Sequence, residues 1–443
     1  MRGFGYIRRF NRKSVLTTGL LLASPALLAG DWHNRWQQQW AVTDNNTQKF
    51  EGQLTFEWNH GFANNTDLTA ITRLSLDTEN RLNNDTRKPD NYSNASAPWY
   101  RGEHGSLELS ELYLDAEWLN AYWRVGKQQV VWGQADGLKV LDVVTPQSFR
   151  EFILDAFDES RIPLWMINVE IPLGNNSNLQ WLWIPDTTYH ELAEIGTSFE
   201  ITSPLRVPAP PVNQTFNTVV INEAELPNNE LTDSDTGLKY STFWQGWDIT
   251  ANYFYHYRNF AVPYQRLAQQ QITITPTYER SHLVGTTASN AFGDFTLRTE
   301  IGWFSHSFHV AQFNQSNNGI EQSEEISSVI GLDWQGLADT FISGQWFQSH
   351  LPNHKSPIIR DKTEHTVSLL AEQTYLNETW TLRLQGIYSV NRGDYLIRPK
   401  LSHLLYSQLE LWVGADLFAG DNQGLYGQFD EQDRVYFGFE LGF

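Results

Sequence analysis

Apolar and polar residues alternate with a period of two along most of this chain, in runs of about 10–14 residues where an ordinary strand has about 5–6. The last stretch, RVYFGFELGF, sets Val435, Phe437, Phe439, Leu441 and Phe443 on one face and Tyr436, Gly438, Glu440 and Gly442 on the other. SQLELWVGADLF repeats the pattern with Leu409, Leu411, Val413, Ala415 and Leu417. Elsewhere Leu382 and Leu384 oppose Arg383 and Gln385, Leu74 and Leu76 oppose Arg73 and Asp77, and Ile301 and Trp303 oppose Arg298 and Glu300. The second face carries charge in strand after strand. Alternation alone fits a soluble sandwich as well as a barrel. Length separates them, because a tilted strand crossing a bilayer needs about 9–11 residues. The pattern also runs to the last residue, although chain ends in water usually fray. A final strand that closes a ring against the first has reason to stay ordered to Phe443.

The links between strands alternate in length. Short links fall near Leu119-Asn120, Gly174–Ser177, Gly246, Asn290–Gly293, Gln335-Gly336, Leu376-Asn377 and Leu405–Ser407. Longer, polar or Pro-rich links fall at about 78–105, 133–162, 187–235, 259–276, 306–321, 351–361 and 420–431. Tight turns on one side and long loops on the other are the habit of outer-membrane barrels. Trp118, Trp123, Trp244, Trp247, Trp334 and Trp380 flank the short links, where an aromatic girdle would meet lipid headgroups. For the link lengths to stay in phase, a weak strand in NRWQQQWAV (34–42) has to rise before the one near 48–60. The expected fold is all-β: a transmembrane antiparallel β-barrel of about 18 strands, or 16 if two weak segments are not strands.

Composition supports that setting. Aromatic residues make up 14% of the chain, with 18 Trp, although the mean hydropathy is only -0.45. The start reads as a secretory signal over residues 1–29: Arg2, Arg8, Arg9, Arg12 and Lys13, then an apolar stretch from Val15 to Leu28 and small residues. Residues 30–443 would then form the barrel. With the leader removed, 26 basic residues face 51 acidic ones, a net charge of about -25 that argues against nucleic acid as a partner. There is no cysteine, so an exported chain of this kind takes its stability from something other than disulfides.

The least barrel-like region is the link 133–162. It is dense in charge, and PQSFREFILDAF has Pro146 near a start and apolar residues at 149, 152, 153, 156 and 157, which is helical spacing. A short amphipathic helix in a long loop needs a surface to pack on, and the inner wall supplies one, so the loop is expected to fold into the lumen. Arg124, Lys127, Lys139, Arg150 and Arg161 would there face Glu111, Asp115, Asp142, Glu151 and Asp155 across a constriction. Opposed charges at close quarters orient dipolar solutes. The acidic balance of the chain suggests a mild cation preference.

No G-x-S-x-G, P-loop or H-E-x-x-H occurs. His306 and His309 are read as lying in a loop and are too few for a metal site. DNQGLYGQFDEQD (421–433) lacks EF-hand spacing and reads as an acidic surface loop. No enzymatic activity, cofactor or metal is expected.

GKQQVVWGQADGLKVLDVVTPQSFREF, DESRIPLW, PTYERSHLVGTTASNAFGDFTLR and GLYGQFDEQDRVYF resemble a proteobacterial outer-membrane family catalogued as a domain of unknown function and treated as porin-like. The resemblance implies a barrel, a signal peptide and an outer-membrane address. It also implies an acidic residue after the Trp132-Gly133 pair, where this chain has Gln134. Gly438, Leu441 and Phe443 are similar to the C-terminal signal by which such barrels are recognised for insertion, which makes the barrel-assembly machinery and outer-membrane lipid the expected partners. The leading expectation is a channel passing small solutes across the outer membrane. The alternative is a dedicated transport component for apolar molecules, working with inner-membrane machinery, in which the Trp- and Phe-rich region 149–183 forms a greasy path. Neither the solute nor an oligomeric state is legible.

Overall fold

A computed structural model describes residues 30–443 apart from 63–64, 84–89, 136, 210–217, 230, 314–315 and 317. The leader expected over residues 1–29 lies outside the described residues. One antiparallel sheet of nineteen strands dominates the fold, of which Tyr100–Gly102 is a three-residue strand at the rim; the other 18 form the barrel. We number these β1 (Asp31–Val42), β2 (Thr47–Phe62), β3 (Thr66–Asp77), β4 (Gly105–Trp118), β5 (Ala121–Gln128) and β6 (Leu164–Pro172). Then follow β7 (Ser177–Ile184), β8 (Asp235–Trp244), β9 (Trp247–Tyr257), β10 (Arg280–Phe292), β11 (Phe295–Val310) and β12 (Ile320–Trp334). The ring finishes with β13 (Thr340–His350), β14 (Thr363–Tyr375), β15 (Trp380–Ser389), β16 (Asp394–Tyr406), β17 (Leu409–Ala419) and β18 (Arg434–Gly442).

Each strand pairs with the next, and β18 closes on β1 with Trp40 opposite Phe437 and Arg35 opposite Gly442. The backbones of Phe443 and Asn34 exchange hydrogen bonds of 3.0 and 3.1 Å, so the last residue is held by the first strand. Trp40 stacks on Phe437 with ring centroids 5.0 Å apart, and Trp36 meets Phe439 edge-on at 5.0 Å, which gives the seam an aromatic outer face. A closed ring leaves no unpaired edge, the condition for placing strands in lipid.

The period-two pattern becomes two faces. Leu382, Leu384, Val413 and Phe437 are 46%, 42%, 45% and 46% exposed, while the alternating Ile387, Trp412 and Tyr436 are buried inside. Leu119 and Asn120 both have positive φ (54° and 57°), as do Gln245 and Gly246 (49° and 89°), the geometry of tight two-residue hairpins. Four of the six expected girdle tryptophans sit beside these two turns, Trp334 and Trp380 flank the short links 335–339 and 376–379, and Trp118 and Trp123 contact each other with ring centroids 5.7 Å apart. On the opposite side most loops are long, although 43–46 and 390–393 are short.

Three readings need correcting. The helix expected over 146–157 is absent: Ser148–Phe149 is extended and pairs in parallel with Glu191–Leu192, Phe152 has φ 54°, and only Phe157–Ser160 forms a helical turn. The apolar residues of this stretch are claimed from different sides, Phe149 by Phe260 and Phe152 by Phe418, Tyr426 and Phe429, so no single helical stripe has a partner. A run that short also has little helical stability of its own. His306 and His309 belong to β11, which extends past the expected loop boundary. The acidic loop 421–433 is not wholly superficial, because Tyr426 and Phe429 are buried in a cluster with Leu154, Phe199 and Phe418.

Candidate functional site

Residues 129–163 connect β5 to β6 and meet the inner side of the wall in two dissimilar parts. In the first, Val130, Trp132, Val140, Leu141 and Val144 share a buried cluster with Met166, Leu182, Phe254, Leu283, Phe304, Val329 and Phe347 of β6–β13. The wall is dimpled to receive them. Gly285 and Gly302 are register partners on β10 and β11; a Cβ on either would strike Leu141, at 2.8 Å for Gly302. A Cβ on Gly237 would lie 2.6 Å from the Trp132 ring. Glu300, buried on β11, accepts the backbone N–H groups of Gln134, Ala135 (2.8 Å) and Leu141 (3.2 Å), which fixes the chain's path between the two apolar anchors. Arg298 donates to the Gln134 carbonyl and pairs with Asp333 at 2.8 Å.

The second part is held by charge. One terminal nitrogen of Arg150 donates to both carboxylate oxygens of Glu51 of β2, at 2.8 and 2.9 Å. Glu151, 1% exposed, is gripped by Lys49 of β2 and by Arg434 of β18 at 2.7 Å. Arg434 continues to Asp416 at 2.7 Å, and Asp416 to Arg398 at 2.7 Å. Arg398 in turn donates to the Leu154 carbonyl at 2.6 Å. Burial works against ionisation of Glu151, but Lys49, Arg434 and Arg150 outweigh it and hold the carboxyl well below the usual range. Asp155 shows the opposite balance. Burial, with the Glu151 charge beside it, pushes its carboxyl up to about 6.

The ten charged residues singled out from the sequence fall into separate groups. Arg150, Glu151 and Asp155 belong to the network just described. Lys139 and Arg161 both pair with Asp142, at 2.6 and 2.8 Å, and brace the loop against itself. Arg124 and Asp115 are neighbours on β5 and β4 near the short-turn end, bidentate at 2.7 and 2.9 Å, with the guanidinium over the Tyr113 ring. Glu111 accepts from Gln129 at 2.9 Å, and Lys127 donates to the Leu109 carbonyl at 2.7 Å. Of the residues expected to signal insertion, Leu441 pairs with Trp36 of β1, Phe443 with Asn34, and Gly438 leaves room for the Trp412 ring, 2.7 Å from where its Cβ would be. The sequence reading missed Lys49, Glu51, Arg398, Asp416 and Arg434. They are scattered over the chain, but each is an inward-facing charge in the part of its strand that lies toward the long-loop side of the barrel, which was the available signal.

Two cavities flank the charged part. One of about 150 Å³ lies between it and β1–β4, and one of about 250 Å³ between it and β13–β18. Gln37, Gln39, Asp155 and Glu159 line both.

No curated protein matches this chain. Among solved structures, Acinetobacter baumannii OccAB3 is similar with a TM-score of 0.52 at 10% identity, covering 94% of this chain and 99% of that one. Pseudomonas aeruginosa OpdK with vanillate gives 0.51 at 8% identity over 94% and 98%, and Pseudomonas aeruginosa OccK2 (OpdF) with glucuronate gives 0.50 at 8% over 94% and 97%. At such identities the likeness is one of fold, that of an outer-membrane porin barrel. The family described as "Protein of unknown function (DUF1302)" matches residues 29–403, most of the chain, and the protein belongs to it.

Proposed function

We propose that the protein is a passive channel of the Gram-negative outer membrane for small polar solutes, and that 133–162 folds into the lumen as its constriction. The observation that carries this reading is the pair of cavities on either side of residues 150–161, joined by shared lining residues. The apolar part of the loop fills the lumen against β6–β13, which leaves a polar path along β1–β4 and β13–β18.

The charge of that path differs from the charge of the chain. The two cavities together present ten Lys and Arg side chains against six Asp and Glu. The buried carboxylates of Glu151 and Asp416 stand behind them and offset part of the excess. In a confined space local charge outweighs distant surface charge, so we infer a weak preference for anions in place of the cation preference suggested by overall composition. Vanillate and glucuronate, held by two of the similar structures, are both organic carboxylates. The alternative of an apolar conduit has less support, since Phe149 and Phe152 are engaged in ring packing. On this reading residues 1–29 are cleaved on export, and the assembly machinery inserts the barrel through the C-terminal strand.

Single-channel recording in planar bilayers tests the proposal. The native barrel should show a defined conductance with a reversal potential favouring anions. Shortening the loop between Ala135 and Ser160, in a variant that still shows a heat-dependent shift on gels, should raise conductance roughly several-fold by widening the path. A silent barrel, or a shortened one with native conductance, overturns the reading.

A further inference from the structure

The wall is not equally tall all round. β5, β6 and β7 have 8, 9 and 8 residues, whereas β4 has 14 and β11 has 16. At about 3.3 Å per residue and a tilt of about 40°, the three short strands rise about 20–23 Å, less than the apolar band of about 25 Å on barrels of this class. β4 pairs with β5 only from Leu112 to Trp118. Tyr100–Gly102 covers Gly105–Leu107, so among the described residues no strand lies beside 108–111 on that edge. β6 begins at Leu164, opposite the last residue of β5. Above β5 there is therefore a gap in the hydrogen-bonded wall, at a height that strand length places inside the apolar band.

The segment 91–102 covers the gap. Trp165, on the outer face of β6, donates to the Ala95 carbonyl at 3.1 Å, and Trp99 and Tyr100 are 63% and 61% exposed. The cover is also tied to the loop 186–191, by Asn91 to Tyr189 (3.0 Å), Ser93 to Thr188 (3.0 Å) and Ser96 to Asp186 (2.5 Å), while its end is anchored by the Tyr100–Gly102 ladder on β4 and by Arg101 on Glu194. Among the described residues, 93–99 forms no ladder with β4 or β6. Behind it lies the smaller cavity, lined here by Pro98, Gly102, Ser110, Lys127 and Pro163.

Lys127 stands in the gap. Alternation along β5 turns it outward with Val125, yet it is only 4% exposed and lines the cavity. Its ammonium donates to Leu109 O on the open edge of β4 (2.7 Å) and to Ser96 O of the cover (3.3 Å). The other cations of this cavity face carboxylates: Arg73 with Glu108, Arg101 with Glu191, Arg150 with Glu51, Arg161 with Asp142 and Lys49 with Glu51. Among the described residues Lys127 hydrogen-bonds to carbonyls and makes no close ion pair, although the charges of Glu108, Asp186 and Glu111 reach it.

We propose that the gap between β4 and β6 above the end of β5 is a lateral portal, through which the carboxylate head of a single-chain amphiphile enters the polar cavity from the outer leaflet while its tail stays beside Trp99, Tyr100 and Trp165, with Lys127 as counter-ion and 91–102 as cover. The inference rests on reading the cavity as part of the lumen.

The test uses a 12-carbon fatty acid carrying a photoreactive diazirine next to its head, incorporated into vesicles with the full-length barrel. The labelled residues are located by mass spectrometry, and a monoacylglycerol with the same tail serves as the neutral control. Label is expected on the cavity side, at Ser106 or Ser110. The chain has no cysteine, so an oxidised Ser96→Cys, Asp186→Cys pair locks the cover cleanly; it should abolish cavity labelling, and reduction should restore it. Lys127→Gln keeps a donor for the carbonyls but loses the charge. It should lower fatty-acid labelling about five-fold, the effect of about 1 kcal/mol per basic residue, and leave the neutral probe unchanged. Label confined to outward Leu107 and Trp165 in the native protein overturns the portal, as does cavity labelling indifferent to the lock. If the cysteine pair fails to fold, the native pattern alone decides. Conductance recorded on the same samples separates the two readings: a conducting barrel without cavity label refutes only the portal, and a labelled barrel without conductance refutes only the channel.

Discussion

The two halves of the β5–β6 connection are held to the same wall by opposite means. Residues 130–144 sit by shape: Leu141 and Trp132 occupy dimples made by Gly285, Gly302 and Gly237. Residues 147–161 sit by charge, through Arg150, Glu151 and the Leu154 carbonyl against Glu51, Lys49, Arg434 and Arg398. The difference has a physical reading. Close-packed apolar surface excludes water and seals its side of the lumen. A buried ion network adds little net stability, since desolvation offsets most of its attraction. What it does is hold the chain at a defined place while leaving polar groups along the remaining path, which therefore stays wettable. On the proposed channel reading, the contrast puts the path off-centre, on the charged side.

The sharpest way to break this contrast is to cut the network at Arg434, which is 4% exposed and bonded to both Glu151 and Asp416. Arg434→Met takes one cation from each of two buried carboxylates, leaving Glu151 to Lys49 and Asp416 to Arg398, and should cost about 3 kcal/mol. Adding Glu151→Leu should cost much less than the sum of the single changes, because both break the same Arg434–Glu151 pair. Urea unfolding in detergent, followed by gel mobility, measures both; strict additivity would show that the two residues do not act as one unit.

The apolar half responds differently. Leu141→Ala empties a fully buried site and should cost about 2–5 kcal/mol from lost transfer energy and the residual cavity. No second change elsewhere restores it, except one that refills the same dimple. Gly302→Val puts methyls into that space, so the pair with Leu141→Ala should be more stable than Leu141→Ala alone. A pair that is less stable would mean that the dimple is not what seats Leu141.

Outside the lumen the contrast inverts, because lipid tolerates no charge. Leu384 is 42% exposed on the outer face, and Gln385 lines the larger cavity one residue on. Leu384→Arg should cost about 2–4 kcal/mol if it lies near mid-membrane, and Gln385→Arg far less. Equal losses in the same unfolding assay would put the two residues on one face.

The barrel was legible because its determinants are local. Alternation needs only neighbouring residues, and turn residues such as Leu119-Asn120 mark where each strand ends. Even the weak first strand followed from the phase of the link lengths. The loop was less legible because its conformation is imposed from outside. Helical spacing in PQSFREFILDAF is a local statement, and it lost to Phe260, Phe418 and Phe429, residues far away in the chain that draw Phe149 and Phe152 to different sides. The ion network failed to show for the same reason: Lys49 and Arg434 meet at Glu151 only because β18 closes on β1 and brings the chain ends together. The glycines that receive Leu141 were visible as interruptions in strands β10 and β11, but nothing local says which side chain fills them.

The smallest effect tests whether the charged half is part of the conducting path at all. Asp155 lines both cavities, next to Glu151, Lys49, Arg150 and Glu159. Its carboxyl is pushed from 3.8 up to about 6 by burial and by the neighbouring Glu151 charge. The folded protein therefore takes up this proton as pH falls through about 6, whereas the unfolded chain does so only near 4. Between those values the folded state binds more protons, so this residue adds stability as pH falls through the window and loses it again as pH rises. Glu151 stays ionised throughout, its carboxyl being held well below the usual range. The lining thus loses one negative charge between pH 7 and pH 5, and the reversal potential should move toward anions over that interval. Asp155→Asn should show the acid-side reversal potential already at pH 7 and a flatter response down to pH 5. If the variant keeps the native pH step, another group carries it, and residues 150–161 do not face the permeating ions.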